Sequence, residues 1–132
     1  MPATVLIVDD SKLARIVAAR AITGLQPDWE RVEASNAEEA IARMADHKID
    51  LAILDYHMPG KNGLDLAADL RAMRPTMPIA IIAANMQPEV INRARAITAA
   101  FVPKPITGDV LEGFISDAAL RIAGDETGDS DP

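Results

Sequence analysis

Asp50-Leu51-Ala52-Ile53-Leu54-Asp55 sets four consecutive apolar residues between two acids. A strand with one solvated face alternates apolar and polar residues. This one is apolar on both faces, which predicts a strand covered by helices above and below, as in a parallel sheet. It ends on a charge. Working outward, Val5-Leu6-Ile7-Val8 runs straight into Asp9-Asp10, and Phe101-Val102 runs through Pro103 into Lys104-Pro105. If these strands are parallel neighbours, their charged tips meet at one edge of the sheet, although no two of them are close in the chain.

The segments between these runs have a helical period. After a first strand at residues 4–8, Ser11 suits an N-cap, Leu13, Ile16, Val17 and Ala21 form an apolar stripe, and Gly24 closes the helix. A weaker strand at 29–34, interrupted by Glu30, Arg31 and Glu33, reads as a sheet edge. Asn36 then caps a helix with Ala37, Ala40, Ile41 and Met44 inward. Beyond the strand at 50–54 comes a helix with Leu66, Ala67, Leu70 and Met73 inward, stopped by Pro75. A fourth strand covers 78–83, and Pro88 starts a helix whose face is Val90, Ile91, Ala94 and Ile97. Pro103 lacks a donor, so the fifth strand belongs at an edge. Val110, Leu111, Phe114, Ile115, Ala118 and Ile122 stripe a last helix. Five strands alternating with five helices predict an α/β fold with a doubly wound parallel sheet, because parallel neighbours need crossover helices.

A length of 132 residues, 49% hydrophobic and 25% charged, predicts one globular domain. Residues 1–123 are expected to form it, and 124–132 an acidic tail that stays unfolded. The net charge of -7 includes four acids of that tail with no compensating base, which leaves the body at -3 and argues against a nucleic-acid surface. The absence of cysteine excludes disulfides, thiolate metal sites and thiol nucleophiles. With no long apolar stretch and no basic leader, a cytoplasmic protein with no membrane association is expected.

Three carboxylates at one sheet edge, Asp9, Asp10 and Asp55, repel one another unless a cation neutralises them. Oxygen-only ligands favour a hard ion, Mg²⁺ or Mn²⁺. A carboxylate beside such an ion with an ammonium opposite is an outfit for phosphoryl transfer, with Asp55, alone at its strand tip, as nucleophile and Lys104 as the clamp on a phosphoryl oxygen. Pro105 aims that lysine, and a cis Lys104–Pro105 bond is expected. The blander reading is that Asp10 or Ser11 caps a helix and Lys-Pro lies in a loop. Gly60-Lys61-Asn62-Gly63 lacks the rest of a P-loop and reads as a turn. His47 at a helix end reads as solvated, and Arg93 and Arg95 as a solvated face.

Leu6-Ile7-Val8-Asp9-Asp10-Ser11, Leu54-Asp55-Tyr56-His57-Met58-Pro59-Gly60, Gly63-Leu64 and Lys104-Pro105 together resemble the receiver domain of two-component response regulators, of the single-domain chemotaxis-regulator type, over residues 4–122. The resemblance implies a flavodoxin-like fold with strand order 2-1-3-4-5. It implies that Asp55 accepts phosphate from a histidine kinase or phosphotransfer protein. Asp9, Asp10, Asp55 and the backbone carbonyl of His57 then organise Mg²⁺, Lys104 contacts the phosphoryl group, and Phe101 is the aromatic residue whose rotation reports phosphorylation. The output is implied to be protein contact through the fourth helix, fifth strand and fifth helix, with the first helix docking the kinase and no output domain in the chain.

The departures from the pattern carry information. Ala83 stands where the family has a switch Thr or Ser, so no hydroxyl links a phosphoryl oxygen to Phe101. A hydrogen bond to a charged group is worth roughly 1.5–3 kcal/mol, so the coupling is expected to weaken by about one to two factors of ten. That keeps open a non-switching receiver: a phosphate sink, a relay or a pseudo-receiver. Asn62 replaces the usual Asp and is expected to take left-handed geometry. Ile97-Thr98-Ala99-Ala100 lacks the usual Gly-Ala pair, so a loop above the site is expected to differ. His57 and Asn85 fill positions that tune access of the hydrolytic water. The rival from another class is a Mg²⁺-dependent aspartyl phosphatase, which needs an acid two residues after the nucleophile, where this chain has His57.

Overall fold

The computed structural model describes residues 2–85 and 87–129. The elements run β1 (Thr4–Val8), α1 (Lys12–Leu25), β2 (Glu30–Ala34), α2 (Ala37–Asp46), β3 (Leu51–Asp55), α3 (Gly63–Met73), β4 (Ile79–Ala83), α4 (Pro88–Ala96), β5 (Ala100–Pro103) and α5 (Gly108–Asp129). The strands form one parallel sheet in the order β2-β1-β3-β4-β5, the flavodoxin-like, doubly wound arrangement. All five residues of the central β3 are buried, and so are all five of β4. The polar β2 and the proline-bearing β5 are the edges.

Alternate strand residues feed two cores, because successive side chains point to opposite faces. Leu6, Val8, Ala52, Leu54, Ile79 and Ile81 pack with Ala40, Leu66, Leu70 and Ala94 from α2, α3 and α4. Val5, Ile7, Leu51, Ile53, Ile82 and Val102 pack with Ala18, Ile22, Leu111 and Ile115 from α1 and α5. Each fully buried Leu or Ile contributes about 1.5–3 kcal/mol relative to exposure. These two layers hold the strands in register, so the carboxyl-terminal tips of β1, β3 and β5 share one edge.

Several expectations are corrected. Of the expected α1 stripe only Ala21 packs against the core: Leu13 is 70% exposed and Ile16 and Val17 also face out, while the helix buries Ala18 and Ile22. Small Ala18 allows close approach to the sheet, and the larger stripe is left over. Gly24 lies inside α1, which runs to Leu25 before Gln26 caps it. Met73 is likewise exposed, one turn beyond the last buried residue of α3, Leu70. Asn62 is extended (φ -76°, ψ 171°) and caps α3 by accepting the Asp65 N–H at 2.9 Å; the left-handed residue of that turn is Gly60 (φ 78°).

The boundary expected at 123/124 falls inside a helix, because α5 continues through Asp129. No proline interrupts residues 124–129, and acidic composition alone does not stop a helix. Residues 130–132 of the expected tail lie outside the described residues. The loop before β5 sits at the amino end of the sheet, away from the charged tips rather than above them. Within it Thr98 takes φ 57°, a left-handed conformation that a β-branched residue adopts at a cost.

Candidate functional site

Asp9 follows β1 directly and is held at three points. Its N–H donates to Ala34 O (3.1 Å), extending the β1–β2 ladder. Its Oδ1 accepts the Ser11 N–H (2.9 Å), and its carbonyl oxygen accepts from Arg15 Nη1 (2.7 Å). Ser11 in turn caps α1, its hydroxyl accepting the Ala14 N–H at 3.2 Å. The capping reading of Ser11 and the site reading of Asp9 are therefore both realised, since the cap anchors the loop that carries the acids.

Asp55 closes β3 with only 4% of its surface exposed, and Asp9 is 5% exposed. The chain behind Asp55 is fixed by Tyr56 N–H donating to Ile82 O (2.8 Å) and Gly63 N–H donating to Tyr56 O (2.9 Å). That second bond draws the start of α3 against the strand tip. A Cβ on Gly63 would lie 2.2 Å from Asp55 O, so only glycine fits there.

One carboxylate oxygen each from Asp9, Asp10 and Asp55 lie within 4.8 Å of one another. Lys104 N–H donates to Ala83 O (3.0 Å), which carries β5's alignment one residue past Pro103, and its Nζ reaches to 3.0 Å from Asp55 Oδ1. The Lys104–Pro105 bond is cis, as expected. That approach of Nζ lies outside hydrogen-bond geometry, and Asp55 Oδ1, buried, has no hydrogen-bond partner among the described residues. Burial does most to push the Asp9 carboxyl above its ordinary range; the Asp55 and Asp10 charges push the same way, while the Ser11 N–H and Lys104 oppose them. Three close carboxylates, one with an orphaned oxygen, fit a hard divalent cation, which carries the charge that a single ammonium does not supply.

The other sequence-derived positions are spread over the fold, with His47 at the amino end of the sheet. His57 is exposed in the loop after β3, its ring edge-on to Tyr56 with centroids 4.9 Å apart. Ala83 is the buried last residue of β4, opposite Pro103. Phe101 lies half-buried against the core that also holds Ile81, Val90 and Ala94. No hydroxyl lies at position 83 between them. His47 caps the end of α2 and is exposed. Arg93 is exposed, in keeping with a solvated face, and pairs there with Asp65 at 3.4 Å between α4 and α3.

Sequence reading missed Arg15. Its spacing from Ser11, one helical turn, was legible, but its acceptors lie just past β1 and on β2 and come together only when the β1–β2 register is known.

The family model for the response regulator receiver domain matches residues 5–116. The chain belongs to the response regulator receiver family. The sensory/regulatory protein RpfC of Xanthomonas campestris pv. campestris is 33% identical over 121 residues, covering 87% of this chain and 16% of that protein. The transcriptional regulatory protein MalR of Bacillus subtilis is 31% identical over 114 residues, covering 86% of this chain and 48% of that protein. The receiver thus spans from about a sixth to about half the length of these curated relatives. Among solved structures, the chemotaxis protein CheY4 of Vibrio cholerae superposes with a TM-score of 0.81 at 24% identity, covering 89% of this chain and 99% of that one; this likeness is one of fold. Receiver domains are signalling modules of two-component systems. Among the described residues no helix is long and apolar enough to cross a membrane.

Proposed function

We propose that this receiver accepts a phosphoryl group on Asp55 from a phosphohistidine of a histidine kinase or phosphotransfer protein. What supports the reading is the buried Asp55 oxygen without a hydrogen-bond donor, beside two further carboxylates and 3.0 Å from an ammonium, in a chain of this family. An Asp55 carboxylate oxygen attacks phosphorus as the phosphorus–nitrogen bond breaks, giving an acyl phosphate. Asp9, Asp10, Asp55 and the His57 carbonyl would hold Mg²⁺ or Mn²⁺, which supplies neutralisation of the phosphoryl oxygens in an in-line transfer. Lys104 moves its charge from the Asp55 oxygen to a phosphoryl oxygen. Pro105 directs the chain that carries it. Self-phosphorylation by small donors and self-dephosphorylation are the extent of its own activity.

The donor docks on α1, whose Leu13, Ile16 and Val17 form an exposed apolar face suited to a helical partner. Output passes by protein contact through α4, β5 and α5, and the setting is cytoplasmic, with neither nucleic acid nor membrane as partner.

Ala83 favours a second reading within the same class, a sink or relay that captures phosphate without switching. Affinity for the downstream partner, measured with and without beryllofluoride, separates the two: equal affinities reject the switch. Ala83→Thr then strengthens the response.

The primary test is intact mass after incubation with acetyl phosphate and Mg²⁺. The wild type gains one phosphoryl group and Asp55→Asn gains none. Absence of the gain in both would mark a pseudo-receiver.

A further inference from the structure

We propose that Arg15, braced by Glu33, is a positioning residue for the metal site: it fixes the peptide plane between Asp9 and Asp10 and so sets the angle between their carboxylates. The inference rests on the phosphoryl-acceptor reading of that site. Arg15 Nη1 donates to Asp9 O at 2.7 Å, and Arg15 Nε donates to Glu33 Oε1 at 2.8 Å. The Arg15 side chain is largely buried, with 16% of it exposed. The Glu33 backbone lies in β2, its carbonyl oxygen accepting from Arg43 Nε at 3.2 Å, while its carboxylate stands half-exposed against Arg15.

The Asp9 carbonyl belongs to the planar unit that continues into the Asp10 amide. Ala34 O holds the amide on the other side of Asp9, and Ser11 N–H holds its carboxylate. With the carbonyl held as well, the plane has no remaining freedom to turn. Without that bond, the repulsion among Asp9, Asp10 and Asp55 would rotate the exposed Asp10 outward, because it is the least constrained of the three. The rigid fork of a guanidinium suits this bridge between the Asp9 carbonyl, just past β1, and the Glu33 carboxylate on β2.

Charge and position are separable here. Arg15 and Glu33 form a neutral pair, so removing both leaves the net charge near the metal unchanged. Titration of free Mn²⁺ by its paramagnetic resonance signal reads affinity directly. In Arg15→Gln/Glu33→Gln the half-saturating Mn²⁺ is expected to rise about tenfold, the scale on which groups behind metal ligands act. Arg31→Gln, which removes another α1–β2 tie at Thr23 away from Asp9, is expected to bind as the wild type does. A purely electrostatic role predicts the opposite pattern: tighter binding in Arg15→Gln, weaker in Glu33→Gln, and wild-type affinity in the double variant. That pattern overturns the proposal, as does equal weakening by Arg31→Gln. If the double variant does not fold, Arg15→Lys carries the test, since one ammonium keeps the charge but not the planar bridge; wild-type affinity there overturns the proposal. Failure of the wild type to bind Mn²⁺ would reject the metal-site reading itself.

Discussion

At the carboxyl end of the sheet three carboxylates crowd within 4.8 Å of one another with one ammonium against Asp55, whereas at the amino end one guanidinium meets five carbonyl oxygens. Arg71 Nε donates to Ile97 O (2.8 Å), Nη1 to the carbonyls of Arg74, Pro75 and Met77, and Nη2 to Thr98 O (3.1 Å). It clasps the loop before β4 to the loop before β5. The amino end is satisfied internally and serves the fold. The carboxyl end is left short of positive charge and of hydrogen-bond donors, a cost that a bound cation relieves. A charged cluster is therefore a sign of function only when its own chain does not complete it.

Substitutions at the two ends should part stability from activity. The largest effect is expected for Asp55→Asn, which takes phosphoryl gain from acetyl phosphate to background by intact mass while leaving the metal-free fold at least as stable, since one of the repelling charges is gone. Next, Arg71→Ala strands several carbonyls and is expected to cost about 2–4 kcal/mol in urea unfolding, with phosphoryl gain unchanged. Phosphorylation lost along with stability in that variant would blur the division between the ends.

The raised Asp9 carboxyl gives a pH signature. The folded state keeps this proton to higher pH than the unfolded chain, whose carboxyl has its ordinary value of 3.8. Its contribution therefore lowers stability as pH rises from 3.8 through the raised folded value, and is relieved below that window. Asp9→Asn is expected to melt higher than the wild type at neutral pH without metal, with the gap closing as pH falls toward 3.8. The smallest effect belongs to Thr98→Asn at the amino end. Asn tolerates the left-handed conformation, so a gain of about 0.5–1 kcal/mol is expected by the same unfolding measurement.

The strands and their charged tips were legible because the signal is local: an apolar run and the residue that ends it. Asp9, Asp10, Asp55 and Lys104 fall where that pattern predicts, and the sheet order followed from the resemblance. The outward face of α1 was not legible, since Leu13, Ile16 and Val17 have the same spacing whether a stripe faces the core or a partner. Only the packing of Ala18 and Ile22 decides. Arg15 and Arg71 were invisible for another reason: both act on backbone carbonyls of other segments, and every residue has a carbonyl. Asn62 shows the limit for turns, where one residue type serves both as cap and as left-handed turn, and the neighbouring Gly60 took the second role.

The difference between the ends is tested most directly by the effect of Mg²⁺ on thermal unfolding of the wild type, Asp55→Asn and Arg71→Ala. At tenfold over its dissociation constant, a cation that binds only the folded state adds about 1.4 kcal/mol, a rise of about 2–8 °C for each kcal/mol. The account predicts that rise in the wild type, the same rise from a lower starting point in Arg71→Ala, and little or none in Asp55→Asn. A rise of equal size in Asp55→Asn, or none in the wild type, would contradict it.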